Sequence, residues 1–550
     1  MATKASFLMR NRNPDVLNSI ANLSNDEVFT PPDFANRMLD TVAESWASSN
    51  DGANIWANST LKFLDPFTKS GVFLREIVSR LTKGLESEIP DLQTRVDHIL
   101  TDQIYGVATT TLTSLVARRS VYCSKAANGK HSITQKFKDK TGNIWFERLN
   151  HAWAGGQRGV LTADAAGQSI TKKLGGKCKF CGASQDEYER SEDLETHAYG
   201  FIHNDDPNAW LTEIFGEEMQ FDVIIGNPPY QLGTGGGTQT KQAKPIYHLF
   251  VRQAKALSPR MLCLVIPSRW FSGGMGLDQF RSEMIHDSNI KTLVDFPDSR
   301  DVFGDMGPAG GVQYFLKDSQ YDGPCEFVAT KNGTPVSRVS RFLNEFSTVI
   351  RDNSAIDIVN QIGTHSEASF SKFVSPVSPF GFSTAARGLI DSGGIADPII
   401  LRSVAGREWV PRSKVLKNLD AVDMWKVLVS ATASEHAGQP DKSGTRRILS
   451  RVEVLEPGTV MTHSYLMVGP FKTELEAKNA VSYLKTRFVR FLASLVQITQ
   501  HISRSTFAFV PSQDFAKSWT DEELYIKYNL NAQQIALIES TIRPLELDND

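Results

Sequence analysis

Short apolar runs, rather than long amphipathic stretches, set the pattern of the first 330 residues. The clearest is Val223-Ile224-Ile225, three strand-forming residues without helical periodicity, followed by Gly226 and two prolines. Such a run suits a strand that is covered on both faces, as in a parallel sheet. Since neither proline can donate to a strand ladder, the strand must end there. The pattern therefore predicts a buried parallel strand that stops in a rigid turn.

Further apolar runs predict the rest of a sheet. The predicted strands cover residues 61–65, 103–107, 261–267, 293–296 and 310–316. The last of them is expected to run antiparallel. Amphipathic stretches that begin near residues 34, 72, 112 and 246 predict the intervening helices. Strands that alternate with helices indicate an α/β fold with a doubly wound, mostly parallel sheet.

The length of the chain, 550 residues, is too great for a single core, so two or three domains are expected. Beyond about residue 335 the hydrophobic periodicity weakens. The predicted division is an N-terminal arm at residues 1–28, a sheet domain made of residues 29–119 and 201–330, an insertion at residues 120–200, and a mixed α+β C-terminal region at residues 331–550.

Composition and charge narrow the class of protein. Hydrophobic residues make up 41% and charged residues 22%, an ordinary globular balance. No apolar run approaches a membrane span and no signal peptide is evident, so a cytoplasmic protein without a membrane partner is expected. The net charge is −3, but residues 401–510 hold 16 Lys and Arg against 9 Asp and Glu. That surplus fits a phosphate-binding surface and a simple solvated face equally well.

The turn that ends the central strand carries the most specific chemistry. It reads Asn227-Pro228-Pro229-Tyr230, at the end of a parallel strand where open α/β sheets bind ligands. The Asn227 side-chain oxygen and the rigidly held Pro228 carbonyl are two acceptors that can draw the exocyclic amine of adenine toward a tetrahedral, nucleophilic geometry. Tyr230 offers a ring on which a flipped base can stack. An ordinary Pro-Pro turn is the alternative interpretation.

Residues 227–230 resemble the Asn-Pro-Pro-Tyr motif of S-adenosylmethionine-dependent N6-adenine DNA methyltransferases. Two upstream segments extend the resemblance in the order of the γ group, which serves restriction-modification and phage-defence systems. Residues 29–32 read Phe-Thr-Pro-Pro. Residues 65–71 are similar to the family's Asp-Pro-Phe-x-Gly-Ser-Gly loop, with Lys69 where a glycine is usual. The resemblance covers roughly residues 29–316.

This resemblance implies S-adenosylmethionine as cofactor, double-stranded DNA as substrate, and direct methyl transfer to a flipped adenine. The cofactor-binding residues that it implies are Phe29, Thr30, Pro31, Asp65, Pro66, Phe67, Ser70, Gly71 and Asp205. The catalytic residues that it implies are Asn227, Pro228, Pro229 and Tyr230. The family's acidic ribose ligand after the second strand is replaced here by Ala108-Thr109-Thr110, which leaves the ribose partner open.

The insertion contains a Cys-x-x-Cys-Gly knuckle at Cys178, Cys181 and Gly182. Two thiolates at this spacing can bind one tetrahedral zinc ion, and a metal is favoured over a disulfide in a reducing cytoplasm. Cys123 and His151 are the predicted third and fourth ligands of a structural Zn²⁺. Alternative histidine ligands are His131 and His197. A redox pair or two plain buried cysteines would be the competing interpretation.

Two other functions fit part of the sequence. The same Asn-Pro-Pro-Tyr chemistry serves methyltransferases that act on RNA bases or on a protein glutamine, and N4 of cytosine needs the same two acceptors. A catalytically silent DNA-specificity subunit would explain Lys69 and the missing ribose acid. The C-terminal region, residues 331–550, is the expected site of target recognition. Since no nuclease or helicase motif is found, cleavage would require a restriction nuclease or helicase as a partner protein.

Overall fold

The structure is a computed structural model, and the residues it describes are 28–155, 159–163, 169–173, 175–185, 198–216, 219–232, 244–304, 307–433, 440–441 and 444–545. The predicted N-terminal arm, up to residue 27, and the alternative ligand His197 lie outside them. The chain forms two compact units. The first is Met1–Pro267, Met275–Pro335 and Ser340–Phe342; the second is Ser268–Gly274, Val336–Val339 and Leu343–Asp550.

The first unit alternates helices and strands. Its helices are α1 (Pro32–Ser49), α2 (Val72–Gly84), α3 (Leu92–His98), α4 (Thr111–Tyr122), α5 (Pro207–Phe215), α6 (Tyr247–Ala256), α7 (Asp278–Ile285) and α8 (Arg300–Phe303). Its strands are β1 (Phe63–Thr68), β2 (Ile104–Ala108), β3 (Ile144–Trp145), β4 (Trp153–Ala154), β5 (Gly159–Ala163), β6 (Ser169–Lys173), β7 (Lys177–Cys178), β8 (Val223–Gly226), β9 (Met261–Pro267), β10 (Ile290–Phe296), β11 (Val312–Asp318), β12 (Cys325–Lys331) and β13 (Thr334–Arg341).

Among the described residues, nine of these strands form one sheet in the order β13-β12-β10-β11-β9-β8-β1-β2-β3. Neighbouring strands from β9 through β8, β1 and β2 to β3 run parallel. Strand β11 runs antiparallel to both β9 and β10, as the sequence predicts. The doubly wound, mostly parallel sheet is therefore confirmed.

The strand order reverses between β1 and β8. From β1 the chain continues outward to β2 and β3, whereas from β8 it continues in the other direction to β9. A crevice opens at the carboxyl ends of the strands at such a switch point, and it is where doubly wound sheets bind their ligands. The loop after β1 and the turn after β8, both singled out in the sequence, meet at this point.

The insertion contributes more to the sheet than the sequence indicates. Residues 120–200 were expected to lie outside the core, yet β3 pairs in parallel with β2 and forms the sheet's edge. Arg118 of α4 is buried and donates to the Ile144 carbonyl from Nε at 3.0 Å and Nη2 at 2.8 Å. This long-range contact holds β3 in place and is invisible in the local sequence pattern. The remaining described strands of the insertion form two antiparallel pairs, β4 with β7 and β5 with β6.

The second unit has the mixed composition that the sequence predicts. Its helices are α9 (Ile356–Gly363), α10 (Glu474–Lys485), α11 (Arg487–Ser494), α12 (Asp521–Lys527) and α13 (Ala532–Thr541). Its strands are β14 (Pro398–Ser403), β15 (Gly406–Pro411), β16 (Trp425–Ser430), β17 (Val452–Leu455), β18 (Thr459–Met461) and β19 (Tyr465–Phe471). They form two three-stranded sheets, β15-β14-β18 and β17-β16-β19. None of the described helices of either unit is long and apolar enough to cross a membrane.

Several Lys and Arg side chains of residues 401–510 are buried or form ion pairs within the second unit. Lys426 is fully buried, its Nζ donates to the Val422 and Thr459 carbonyls at 3.0 Å each, and burial lowers its pKa to about 8. Arg490 is 1% exposed. Further cations of this stretch lie in ion pairs, among them Arg402 with Glu453, Arg412 with Asp423 and Arg487 with Glu539. The local charge surplus therefore overstates the basic surface.

Substitution of two arginines in helix α11 tests the structural role of these cations. The Arg490 guanidinium donates to the carbonyls of Lys485, Thr486, Arg447 and Arg543. We expect Arg490→Met to lower the free energy of unfolding by about 3 kcal/mol, because it leaves buried carbonyls without a charged donor. Arg487→Met, on the same helix, removes a partly exposed pair with Glu539 and should cost less than about 1 kcal/mol. Equal shifts in urea unfolding of the two variants would contradict this assignment.

Candidate active site

A pocket lies at the switch point, between the loop after β1 and the turn after β8. Its lining residues are Thr30, Asp65, Phe67, Lys69, Ser70, Gly71, Val72, Phe73 and Asn227. Six of them were singled out in the sequence as cofactor-binding or catalytic residues, although they come from three segments far apart along the chain. The structure adds Lys69, Val72 and Phe73, which lie within or just after the predicted loop.

The loop after β1 is shaped by one proline and one glycine. Pro66 cannot donate to the ladder, and the register of β1 against β2 shifts between Asp65 and Thr68. Pro66 itself does not line the pocket. Gly71 has φ +75°, and a Cβ there would come within 3.0 Å of the Ala117 Cα in α4. Only glycine accommodates both the left-handed backbone and this close packing, which brings the start of α2 to the pocket.

Asp65 is a buried carboxyl group at the base of the pocket. Its Oδ1 accepts a hydrogen bond from the Phe67 N–H at 3.1 Å. Burial raises the pKa of Asp65 to about 7, although that hydrogen bond and the nearby Lys69 act in the opposite direction. Gly226, just before Asn227, leaves room for this group, since a Cβ there would lie 2.8 Å from Asp65 Oδ1 and 2.8 Å from the Phe67 ring.

The side-chain amide of Asn227 has a fixed orientation. Its Nδ2 donates to the Val28 carbonyl at 3.0 Å and to Thr30 Oγ1 at 3.1 Å. Because a carbonyl can only accept, the nitrogen must face Val28 and the oxygen must face away. Asn227 Oδ1 is buried and makes no hydrogen bond within the described part of the chain. The site thus presents an oriented acceptor that is not already used.

Lys69 joins the loop after β1 to the same carbonyl. It is 6% exposed, and its Nζ donates to Val28 O at 3.0 Å. The Val28 carbonyl therefore accepts from both Lys69 and Asn227. The side chain that departs from the family's usual glycine links the two loops through the segment before α1.

The other predicted residues of the site lie around this network. Phe29 and Pro31 flank Thr30 and are partly buried, and Pro31 is the N-cap of α1. Pro228, Pro229 and Tyr230 are buried after β8, and burial raises the pKa of the Tyr230 hydroxyl well above its usual value. The Tyr230 ring centroid lies 6.4 Å from that of Phe303, edge to face. Phe303 of α8 was not singled out in the sequence, where nothing distinguishes it from a core residue.

Asp205 does not lie in the pocket. Its side chain is 84% exposed and pairs with Lys179 of the cysteine knuckle at 3.3 Å. The prediction that it binds the cofactor came from its place upstream of the central strand. The structure places the residue on the surface beside the insertion, and the buried Asp65 is the carboxyl group that lines the pocket.

A second cluster of functional groups lies where the insertion meets the turn that follows it. The ligand atoms of His151, Cys178, Cys181 and His203 all lie within 4.8 Å of one another. Cys181 Sγ is 3.5 Å from His151 Nδ1, and both cysteines are buried and free. Three of these residues were predicted as ligands. The fourth predicted ligand, Cys123, does not belong to the cluster.

Cys123 lies outside this cluster. It is exposed and ends α4 in a left-handed conformation, with φ 61°. The alternative His131 is also exposed and outside the cluster. His203 takes the fourth place, from a turn just beyond the insertion. His203 lies outside residues 120–200, so the sequence of the insertion gives no sign of it.

The chain is similar in sequence to known proteins. Residues 102–303 match the family of Eco57I restriction-modification methylases. An "uncharacterized adenine-specific methylase" of Mycoplasma pneumoniae is 35% identical over 322 residues, which is 56% of this chain and 71% of that protein.

Two solved protein–DNA complexes also align with the chain. The DrdV–DNA complex has a TM-score of 0.46 at 11% identity and covers 92% of this chain and 57% of its own. The ATP-dependent Type ISP enzyme LlaBIII bound to DNA has a TM-score of 0.38 at 11% identity and covers 80% of this chain. The chain spans 57% of the former and 33% of the latter. By its identity to the Mycoplasma protein over most of that protein's length, the chain belongs to the family of adenine-specific methylases of the restriction-modification type.

Proposed function

We propose that the chain transfers a methyl group from S-adenosylmethionine to N6 of a flipped adenine in double-stranded DNA, as the modification activity of a restriction-modification or related defence system. The observation that carries the proposal is the Asn227 amide, whose donors are committed to Val28 and Thr30 while Oδ1 makes no bond within the described residues. An acceptor held in this way is what an exocyclic amine requires.

The chain's own groups account for the reaction by orientation and hydrogen bonding. Asn227 Oδ1 and the Pro228 carbonyl accept the two amine hydrogens, so that the nitrogen lone pair is withdrawn from the ring and turned toward the methyl donor. The new N–C bond forms as the sulfonium S–C bond breaks, and one amine proton then leaves to solvent. Tyr230 supports the flipped base by stacking. The cofactor supplies the activated methyl group.

The buried carboxyl group and the lining residues of the pocket at the switch point support binding of that cofactor. S-adenosylmethionine carries a sulfonium and an ammonium charge, and the buried Asp65 is a carboxyl group whose ionised form would be favoured by a cation beside it. Thr30, Phe67, Ser70 and Gly71 complete the proposed binding residues that line the pocket. Phe29, Pro31 and Pro66 would act by shaping the two segments that carry them.

We also propose that His151, Cys178, Cys181 and His203 hold one structural Zn²⁺. Two thiolates and two imidazoles form a common tetrahedral zinc set, and four protein ligands leave no open position for catalysis. The free state of both cysteines supports a metal over a disulfide. The role would be to fold the insertion.

The match of residues 102–303 to restriction-modification methylases supports DNA as the substrate. A cytoplasmic location is part of the same proposal. The second unit, which follows the catalytic motifs in the chain, is the proposed target-recognition part. Its exposed cations include Lys414, Lys417 and Lys472. A restriction nuclease or helicase would be a separate partner. An RNA base or a protein glutamine as acceptor, and a catalytically silent specificity subunit, are the outcomes that would replace this proposal.

The proposal predicts the effect of removing the oriented acceptor. Asn227→Ala should lower kcat for methyl transfer to DNA by about 10²- to 10³-fold, the usual cost of losing one transition-state acceptor or donor. The measurement is incorporation of labelled methyl from S-adenosylmethionine into unmethylated genomic DNA, with the product identified as N6-methyladenine or N4-methylcytosine. Asn208→Ala, on the exposed side of α5, is the control and should be fully active. Label found in RNA or glutamine instead of DNA would change the substrate class.

The shared carbonyl predicts that Lys69 acts as a positioning residue. Lys69→Met removes the donor to Val28 and should lower kcat about 10²-fold, because Asn227 loses a fixed partner and small misplacements of reacting groups are costly. KM for DNA should stay within about twofold, since Lys69 is buried in the pocket lining and is not part of an exposed basic surface. Lys83→Met at the exposed end of α2 is the control. Full activity of Lys69→Met, or of Lys69→Gly, would show that the hydrogen bond from Lys69 to the Val28 carbonyl is not needed for activity.

The raised pKa of Asp65 predicts a pH-dependent cofactor affinity. The free protein's carboxyl group is protonated below about pH 7 and ionised above it. Since a cationic ligand favours the ionised form, affinity for S-adenosylmethionine should rise about tenfold per pH unit below 7 and level off above it. S-adenosylhomocysteine, which lacks the sulfonium charge, should show a shallower profile in calorimetry. A steep wild-type profile that persists in Asp65→Asn would assign the titration to another group.

A further inference from the structure

We propose that the metal held by His151, Cys178, Cys181 and His203 sets the affinity of the cofactor pocket, because the turn that supplies His203 also supplies the aromatic support beneath the pocket. The metal would be a tetrahedral divalent ion of the zinc type. This inference rests on the proposed function in one respect, since it requires the pocket to bind S-adenosylmethionine. It goes further by giving the insertion a part in cofactor binding.

The ligand set has the dimensions of a tetrahedral site. Zinc bond lengths of about 2.3 Å to sulfur and 2.0 Å to nitrogen place neighbouring ligand atoms roughly 3.6 Å apart. Cys181 Sγ and His151 Nδ1 are 3.5 Å apart, and the four ligand atoms fall within 4.8 Å of one another. Only small shifts are needed to close such a group around one ion.

Hydrogen bonds behind the ligands support this geometry. His203 Nδ1 lies 2.7 Å from the Tyr199 carbonyl, which can only accept. The proton is therefore on Nδ1, and Nε2 carries the lone pair that a metal requires. On the other side, Trp153 pairs with Cys178 across β4 and β7, and the Lys179 N–H donates to the Ala152 carbonyl at 2.9 Å. These bonds bring the segment with His151 next to the knuckle.

The four ligands come from two parts of the first unit. His151, Cys178 and Cys181 belong to the insertion, whereas His203 follows a single 3₁₀ turn, Gly200–Ile202, that belongs to the sheet domain. Asn204 Nδ2 donates to the Gly200 and Phe201 carbonyls, and the Asn204 carbonyl accepts from Gln253 of α6 at 3.1 Å. The metal would therefore tie the insertion to a turn that is anchored on α6.

That turn packs directly beneath the cofactor pocket. Phe201 is 1% exposed, and its ring meets the Phe67 ring edge to face at 5.5 Å. Phe67 also meets Phe250 of α6 at 5.3 Å, and Phe250 meets Tyr199 at 5.5 Å. Phe67 lines the pocket and lies so close to Gly226 that no Cβ fits between them. One layer of aromatic rings thus separates the ligand turn from the pocket wall.

This arrangement gives a physical route for coupling. Without the ion, the turn keeps its anchor on α6 and weaker contacts with the insertion, such as the exposed Asp205–Lys179 ion pair, but loses the metal bond at His203. Phe201 is then held less firmly against Phe67. Binding of the cofactor would then have to order the aromatic layer at its own cost, which weakens its affinity. Thermodynamic linkage requires the reverse effect too, so that the cofactor must tighten metal binding by the same factor.

The test measures metal content and cofactor affinity on the full chain. Wild type and Cys123→Ser should each carry one zinc per chain and bind S-adenosylmethionine equally, since Cys123 is exposed and outside the cluster. Cys178→Ser and His203→Ala should lose the zinc and bind the cofactor at least tenfold more weakly. His203→Cys, which restores a ligand, should recover both properties. Removing zinc from the wild type with a chelator and adding it back should switch the affinity reversibly, which excludes misfolding of a variant.

Because the coupling is reciprocal, the effect of the cofactor on zinc binding is a second readout. A purely local structural role of the metal would leave zinc binding unaffected by the cofactor. Saturating S-adenosylmethionine should raise the equilibrium affinity for zinc, measured by competition with a chelator, by the factor by which zinc strengthens cofactor binding. Asn227→Ala should leave the zinc content at one. Unchanged cofactor affinity after zinc loss would overturn the coupling, and zinc loss in Cys123→Ser would overturn the ligand set. A wild type that holds zinc but binds no S-adenosylmethionine would overturn the proposed function and the coupling together, while the metal site would stand.

Discussion

The Val28 carbonyl is the acceptor on which the candidate site depends. It accepts from Lys69 in the loop after β1 and from Asn227 in the turn after β8. Two loops that are about 160 residues apart in the chain, and a third segment near its described beginning, are fixed relative to one another by a single oxygen. A backbone oxygen suits this role because it has two lone pairs and no donor, so both of its partners must present their hydrogens to it.

The sheet makes this meeting possible. Placing β8 beside β1, with the chain leaving in opposite directions from each, opens a crevice at their carboxyl ends. Pro66 breaks the ladder of β1 and two prolines end β8, so the backbone at both strand ends is rigid and turned away from further pairing. Close packing at Gly71 and Gly226 then brings α4 and the Phe67 ring against the pocket. The geometry of the site therefore depends on the strand order, on prolines that lack an N–H donor and on glycines that lack a side chain.

Features carried by contiguous residues could be predicted from the sequence, and features made by distant contacts could not. The apolar runs at β8 and β9, the antiparallel β11 and most of the pocket lining are local patterns with a clear physical meaning. The role of Lys69 depends on a carbonyl 41 residues away, and His203 becomes a cluster member only when its turn folds against the insertion. Asp205 shows the converse. Its position in the chain predicts a contact with the cofactor, but its side chain is exposed and pairs with Lys179.

The short strand β3 has a consequence for solubility. An open parallel sheet ends in a row of unpaired backbone groups, which can recruit a strand from another chain. Here that edge is covered by two residues contributed by the insertion and fastened by the buried Arg118, and the strand is too short to template further pairing. The insertion therefore protects this edge of the sheet from intermolecular association. A shortened enzyme without the insertion would expose β2 as an unpaired edge strand that is prone to aggregation.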